Sequence, residues 1–406
     1  MSFRYRETGL VLVIICLFLG ASAQDSLKTV KTVAVSKKKW YETFTIRGYV
    51  QTRYNRLLET NPKLKCDQCD RGWGGNGGFS FRRVRIIIQG NISEQVSIYI
   101  QPDFASSTSN GLNYGQIRDA YFDLAFDKRK TWRIRVGQSK VPYGFEALQS
   151  SSNRLPLDRS DGINSAIVNE RDLGAFIYWA PVEKRELFNR LTEDGLKGSG
   201  DYGVVGVGIF NGQVANRPDQ NRTVHVVGRL TWPVQLNNGQ IIEGSIQAYS
   251  GNFTLSDTTK GVKLVNPEAS YKDERVAASF ILYPQPFGIQ AEYNVGTGPQ
   301  YDPTSNTVLQ KKLQGGYIIA NYMVKPGKMV LIPFARYHYY EGGKKFELDA
   351  RSYKVNELEF GTEWQINRNV ELVAMYVISN RRFEDATLRS NAQQGRILRL
   401  QAQLNF

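Results

Sequence analysis

The chain ends in Leu398-Arg399-Leu400-Gln401-Ala402-Gln403-Leu404-Asn405-Phe406, where every even-numbered residue is apolar and every odd-numbered one polar. Successive side chains of an extended chain point to opposite faces, so a strict period of two describes a strand with one apolar and one polar surface. The same parity runs through an early segment, where Phe44, Ile46, Val50 and Tyr54 alternate with Thr45, Arg47, Gln51 and Arg53. It recurs in mid-chain, where Val224, Val226, Leu230 and Trp232 alternate with Thr223, His225, Arg229 and Thr231. Residues 242–248, 289–295 and 358–366 follow suit. From Phe44 onward the chain reads as about sixteen segments of roughly ten residues, rich in aromatic and β-branched side chains, with helical periodicity scarce.

The connections alternate in length. Tight turns are expected at Asn91-Ile92-Ser93, Asp127-Lys128-Arg129-Lys130, Pro286-Phe287-Gly288, Lys325-Pro326-Gly327-Lys328 and Asn367-Arg368-Asn369; longer polar loops are expected at 57–78, 105–115, 145–170, 254–273, 299–310 and 384–394. Short turns at one end and long loops at the other are how transmembrane β-barrels are built. One stretch breaks the rhythm: 183–201, with Leu187, Leu191 and Leu196 among charges, reads as a small helix where a short turn is due. A soluble β-sandwich also has regular strands. Against it stand alternation sustained to the last residue, no linker dividing the chain, and aromatic residues near strand ends. Tyr54, Trp73, Phe79, Phe81, Phe104, Trp132, Trp179, Trp232 and Trp364 suit the interfacial girdles of a barrel. The expected fold is therefore all-β: one transmembrane antiparallel barrel of about 16 strands over residues 44–406.

Residues 1–23 read as a cleaved export signal, with Arg4 and Arg6 at the start, an apolar run over 10–19 and the small-residue pattern Ala21-Ser22-Ala23. Residues 24–43 are then a short periplasmic segment. Ile15 before Cys16 speaks against lipid attachment. No later stretch reaches the ~18–20 apolar residues of a membrane helix, and mean hydropathy is -0.39. A helical membrane protein is excluded; a barrel, which shows lipid only every second side chain, is not. Lys and Arg number 52 against 38 Asp and Glu, a formal charge of +14, which favours a negative partner. Export and alternating strands argue against nucleic acid.

Beyond the signal only Cys66 and Cys69 remain, in a glycine-rich stretch; a loop disulfide is the expected state. Zinc would need further ligands, and only His225 and His338 exist, on distant strands. No nucleophile elbow or metal-binding His pair points to an enzyme, and no cofactor is implied.

Four segments carry a family likeness. Phe81-Arg82-Arg83-Val84-Arg85, Arg118-Asp119-Ala120-Tyr121-Phe122-Asp123, Gly137-Gln138-Ser139-Lys140-Val141-Pro142-Tyr143-Gly144-Phe145-Glu146 and Asn169-Glu170-Arg171-Asp172-Leu173-Gly174 resemble, in that order, strands two, four and five and the strand leaving the third loop of the phosphate-selective porin O and P family. Ser139 departs from the family's usual aromatic residue there. The resemblance implies a sixteen-stranded outer-membrane channel, commonly a homotrimer, whose third loop folds into the pore, and a terminal Phe406 recognised by the barrel assembly machinery. Its expected surroundings are the lipid and lipopolysaccharide of a Gram-negative outer membrane and its expected solutes small and hydrophilic; the positive charge balance adds an expected preference for anions, phosphate or polyphosphate among them. The competing reading is an adhesin or structural barrel binding partners through its long loops.

A channel needs a wet path and a charge pattern rather than a reactive group. Parity turns Arg47, Arg53, Arg133, Arg135 and Arg229 inward, and Arg83 and Arg85 with them; Arg82 faces out unless its strand is bulged. Lys140, Arg154, Arg159 and Arg171 flank or occupy the third loop. These eleven inward or loop cations are the candidate pore-lining, anion-selecting set, because the guanidinium fork donates two hydrogen bonds to phosphate or carboxylate. Inward Asp119, Asp123, Glu357, Glu359 and Glu363 offer the alternative role for these arginines, bracing the wall.

Overall fold

The structure, a computed structural model, describes residues 39–58, 77–108 and 111–406. The export signal, most of the 24–43 segment, Cys66, Cys69 and Trp73 lie outside the described residues.

The strands are β1 (Thr45–Leu57), β2 (Phe79–Asn91), β3 (Val96–Thr108), β4 (Gly111–Ala125), β5 (Trp132–Lys140), β6 (Arg171–Trp179), β7 (Val205–Phe210), β8 (His225–Gln235) and β9 (Ile241–Thr254). They continue with β10 (Lys263–Leu264), β11 (Ser270–Leu282), β12 (Phe287–Asp302), β13 (Thr307–Tyr322), β14 (Val330–Gly343), β15 (Ser352–Gln365), β16 (Val370–Glu384) and β17 (Ala392–Asn405). The two-residue β10 is a loop piece lying parallel to β13. The other strands pair antiparallel in chain order, and β1, paired with β2 on one side, takes β17 on the other. The ring of sixteen staves therefore has no open edge, and its backbone hydrogen bonds run from strand to strand around the wall, as a hydrocarbon environment demands. At the seam Gly48 exchanges backbone hydrogen bonds with Phe406 at 2.8 and 3.0 Å. A Cβ at Gly48 would stand 2.6 Å from the Phe406 ring, so only glycine lets the last aromatic lie across the seam.

Solvent exposure is inverted relative to a soluble protein. Ile46 is 71% and Phe79 81% exposed, while Arg53, Arg275, Arg336, Arg381 and Arg399 are among the largest fully buried side chains. The apolar parity faces out to lipid and the polar parity faces the lumen on β1, β8 and β17, as the alternation predicts. Phe79, Phe81, Phe104, Trp132, Trp232 and Trp364 are all outward and exposed.

Two expected loops are largely strand. The segment 105–115 continues as β3 to Thr108 and resumes as β4 at Gly111, and 299–310 is taken up by β12 and β13 around a turn at 303–306. Polar sequence at a barrel rim marks the end of the lipid zone, not the end of hydrogen bonding; the ladder runs on into water. The break at 183–201 is a helix, α3 (Val182–Glu193), shorter than the expected segment; its continuation bends inward.

Candidate permeation site inside the barrel

Between β5 and β6 the third loop, 141–170, leaves the long-loop rim and enters the lumen. It carries two single turns of helix, α1 (Phe145–Leu148) and α2 (Asp161–Asn164), and most of it is buried. Loop carboxylates hold it to the wall. Asp158 accepts from Arg53 at 3.1 Å to both oxygens, from Arg82 at 3.2 Å and from Arg399 at 2.5 Å. Burial alone would raise the pKa of Asp158; the surrounding guanidiniums outweigh it and hold the carboxyl well below its ordinary range. Glu146 accepts from Arg336 at 2.9 Å, and Asp161 from Lys344 at 2.6 Å and Arg381 at 2.9 Å. Glu292 on β12 accepts the Phe145 N–H at 2.6 Å. At Gly162 a Cβ would lie 2.7 Å from the backbone of Gly315 and Gly316, so the loop meets β13 backbone against backbone.

Arg82 reaches Asp158 because the β1–β2 register shifts between Gln51 and Thr52; this is the bulge that turns the residue inward. The candidate cations fall into three groups. Several are neutralised by carboxylates: Arg53 as above, Arg85 by Asp103 at 2.8 Å, Arg133 by Asp201 at 2.7 Å and Arg135 bidentately by Asp123 at 2.7 and 2.9 Å. Arg171 donates to Asp119 at 3.0 and 2.9 Å, Arg229 pairs with Glu243 at 3.2 Å, and Arg159 pairs with Glu170.

A second group is buried without a carboxylate among the described residues. Lys140 donates to the carbonyls of Leu148 and Gln149 at 2.7 and 2.9 Å, and Arg154 to those of Pro156 and Leu157 at 3.1 and 3.2 Å. Arg83 donates to Gln51 at 2.8 Å, and its Nε has no partner. Arg47 stands alone in the third group, on the lumen parity of β1 but exposed at the mouth carrying the short turns.

Arg275, Arg336, Arg381, Lys344 and Lys345 also line the site without having stood out in the sequence, and Arg399, a polar-face residue of the last strand, joins them. Arg336, Arg381 and Arg399 obey the inward parity of β14, β16 and β17, so parity alone could have found them. Lys344 and Lys345 lie past the end of β14 and carry no such signal. Asp161, His338 and Glu357 also bring potential metal-ligand atoms within 4.8 Å of one another. Lys344 and Arg381 already occupy Asp161, and Arg381 and His338 occupy Glu357 at 2.6 and 2.7 Å. Two carboxylates facing two fixed cations are balanced, and the cluster is an ion-pair network.

A closed barrel of sixteen antiparallel staves with an apolar exterior, a charged lumen and an inserted third loop defines an outer-membrane porin. The family model for phosphate-selective porin O and P matches residues 64–406, and the chain belongs to that family. No match to the sequence is found among curated proteins. Among solved structures, the outer membrane channel DcaP of Acinetobacter baumannii is similar at 14% identity with a TM-score of 0.58, covering 89% of this chain and 97% of that one. OmpF of Salmonella typhi in complex with daunomycin gives 12% and 0.55 over 89% and 97%. An anion-selective porin from Comamonas acidovorans gives 10% and 0.54 over 90% and 99%. At these identities the likeness is one of fold. The chain is an outer-membrane β-barrel channel protein.

Proposed function

We propose that the channel passes small hydrophilic solutes by diffusion and prefers anions, phosphate and polyphosphate among the candidates. The observation that carries this reading is buried guanidinium charge with no carboxylate partner among the described residues: Arg83 donates to Gln51 at 2.8 Å, and Arg154 donates to the carbonyls of Pro156 and Leu157 at 3.1 and 3.2 Å. Fixed charge counts where a path is no wider than the screening length of ~8 Å, and guanidiniums there donate to phosphate or carboxylate oxygens. The family description and the anion-selective porin of similar fold support the same direction. A homotrimer, with anionic lipid around it, is the assembly proposed.

Reversal potentials in planar bilayers under chloride, phosphate and larger-anion gradients test the proposal. Anion preference is expected, falling in Arg83→Gln. Cation preference in the wild type would overturn it.

A further inference from the structure

The connection between β6 and β7 sits at the short-turn end, yet it spans 180–204. After α3 the chain turns into the lumen: Leu196, Lys197 and Ser199 are all buried. Lys197 Nζ donates to Glu363 on the β15 wall at 2.5 Å. Its carbonyl accepts from Gln149 Nε2 at 2.6 Å, and that of Gly198 from Asn153 Nδ2 at 3.0 Å. Gln149 and Asn153 belong to the third loop, which enters from the opposite mouth. Polypeptide from both ends of the barrel thus meets inside it. Leu187, Leu191 and Leu196 share one apolar cluster with Phe145, Leu155 and Leu157 of the loop and with Ile319, Phe334 and Met375 of the wall.

We propose that residues 194–203 are a periplasmic strap that closes the lumen against the third loop, latched by Lys197 on Glu363, and that its release opens the channel. An apolar constriction gates by excluding water, because a hydrated ion cannot shed its shell against leucine and phenylalanine. The backbone of the strap depends on left-handed residues. Gly195, Gly200 and Gly203 hold φ of +70°, +97° and +73°, and Lys197 itself lies at φ +66°. A residue with a Cβ pays about 1 kcal/mol or more for that conformation, so the latch bonds hold a backbone that would otherwise relax. An open cleft of about 660 Å³ adjoins it, lined by Asp194, Leu196, Pro284, Gln285, Pro286, Met323 and Lys325.

The strap rests on the channel reading but not on its ionic preference. Single-channel recording of the purified full-length protein tests it, with heat-modifiable gel mobility confirming that each variant is folded. Lys197→Met is expected to raise the fraction of time open about tenfold, the effect of one charge-assisted bond in a two-state equilibrium; Lys197→Arg should behave as wild type. Ser199→Cys supplies a second readout. A bulky polar thiol reagent should modify it only during openings, measured against the parent chain. Equal open fractions in wild type and Lys197→Met, or reaction of Ser199→Cys as fast as a free surface thiol, would overturn the strap. Reversal potentials from the same recordings judge ionic preference separately. Silence from every variant would remove the channel reading and the strap together.

Discussion

Two arcs of the same wall use arginine differently. On β2 to β6, Arg85, Arg135 and Arg171 are matched to Asp103, Asp123 and Asp119, which stand on neighbouring or nearby strands. On β14 to β17 and β1, Arg336, Arg381, Arg399 and Arg53 reach across to Glu146, Asp161 and Asp158 on the third loop. Charge in the first arc is paired by the barrel ladder itself and stays paired wherever the loop sits. In the second, loop carboxylates add to wall partners such as Glu359 for Arg336 and Glu357 for Arg381, so part of the balance is made only while the loop is inside. One residue type thus braces a wall in one place and moors a plug in the other, and the location of the carboxylate makes the difference.

Breaking the second arc should cost most. Arg336→Met strands Glu146 and both oxygens of Glu359, with which Arg336 pairs at 2.6 and 2.8 Å. Removing one partner of a buried ion pair costs about 3–5 kcal/mol, so the heat-modified gel form should appear at a clearly lower temperature than for wild type. Asp158→Asn leaves three guanidiniums facing a neutral amide, a loss of about 2–3 kcal/mol, and should shift reversal potentials further toward anions. A shift toward cations would contradict the mooring role. Gly162→Ala forces the loop off the β13 backbone at about 1–2 kcal/mol, and should appear as altered unit conductance with selectivity retained.

The smallest effect sharpens the contrast. Arg135 is already spent on Asp123 and lies 3.9 Å over the Tyr121 ring. Arg135→Gln should therefore leave the reversal potential within error of wild type where Arg83→Gln moves it. Equal shifts in the two variants would mean that pairing in the wall does not shield the path.

Parity made much of this legible beforehand. Arg399, Gln401 and Gln403 had to share a face opposite Leu400 and Leu404, because an extended chain offers no other geometry, and the lumen burial of Arg53 and Arg229 follows the same rule. The inward turn of Arg82 was not readable, since a one-residue bulge leaves no mark in a pattern of alternating residue types. Strand ends were misplaced at 105–115 and 299–310 for a related reason: turn-forming polar residues look alike whether they sit in a loop or on a ladder above the lipid.

The residue order of this chain by itself determined that it would be a cylinder with a greasy outside and a charged inside, because period-two alternation is a local property of an extended backbone. Which charges remain uncompensated in the lumen was decided only by tertiary structure. Arg53 and Asp158 are 105 residues apart, and Lys197 and Glu363 are 166 apart; no local pattern can specify the partner of a charge when a loop must first fold back through the barrel to deliver it.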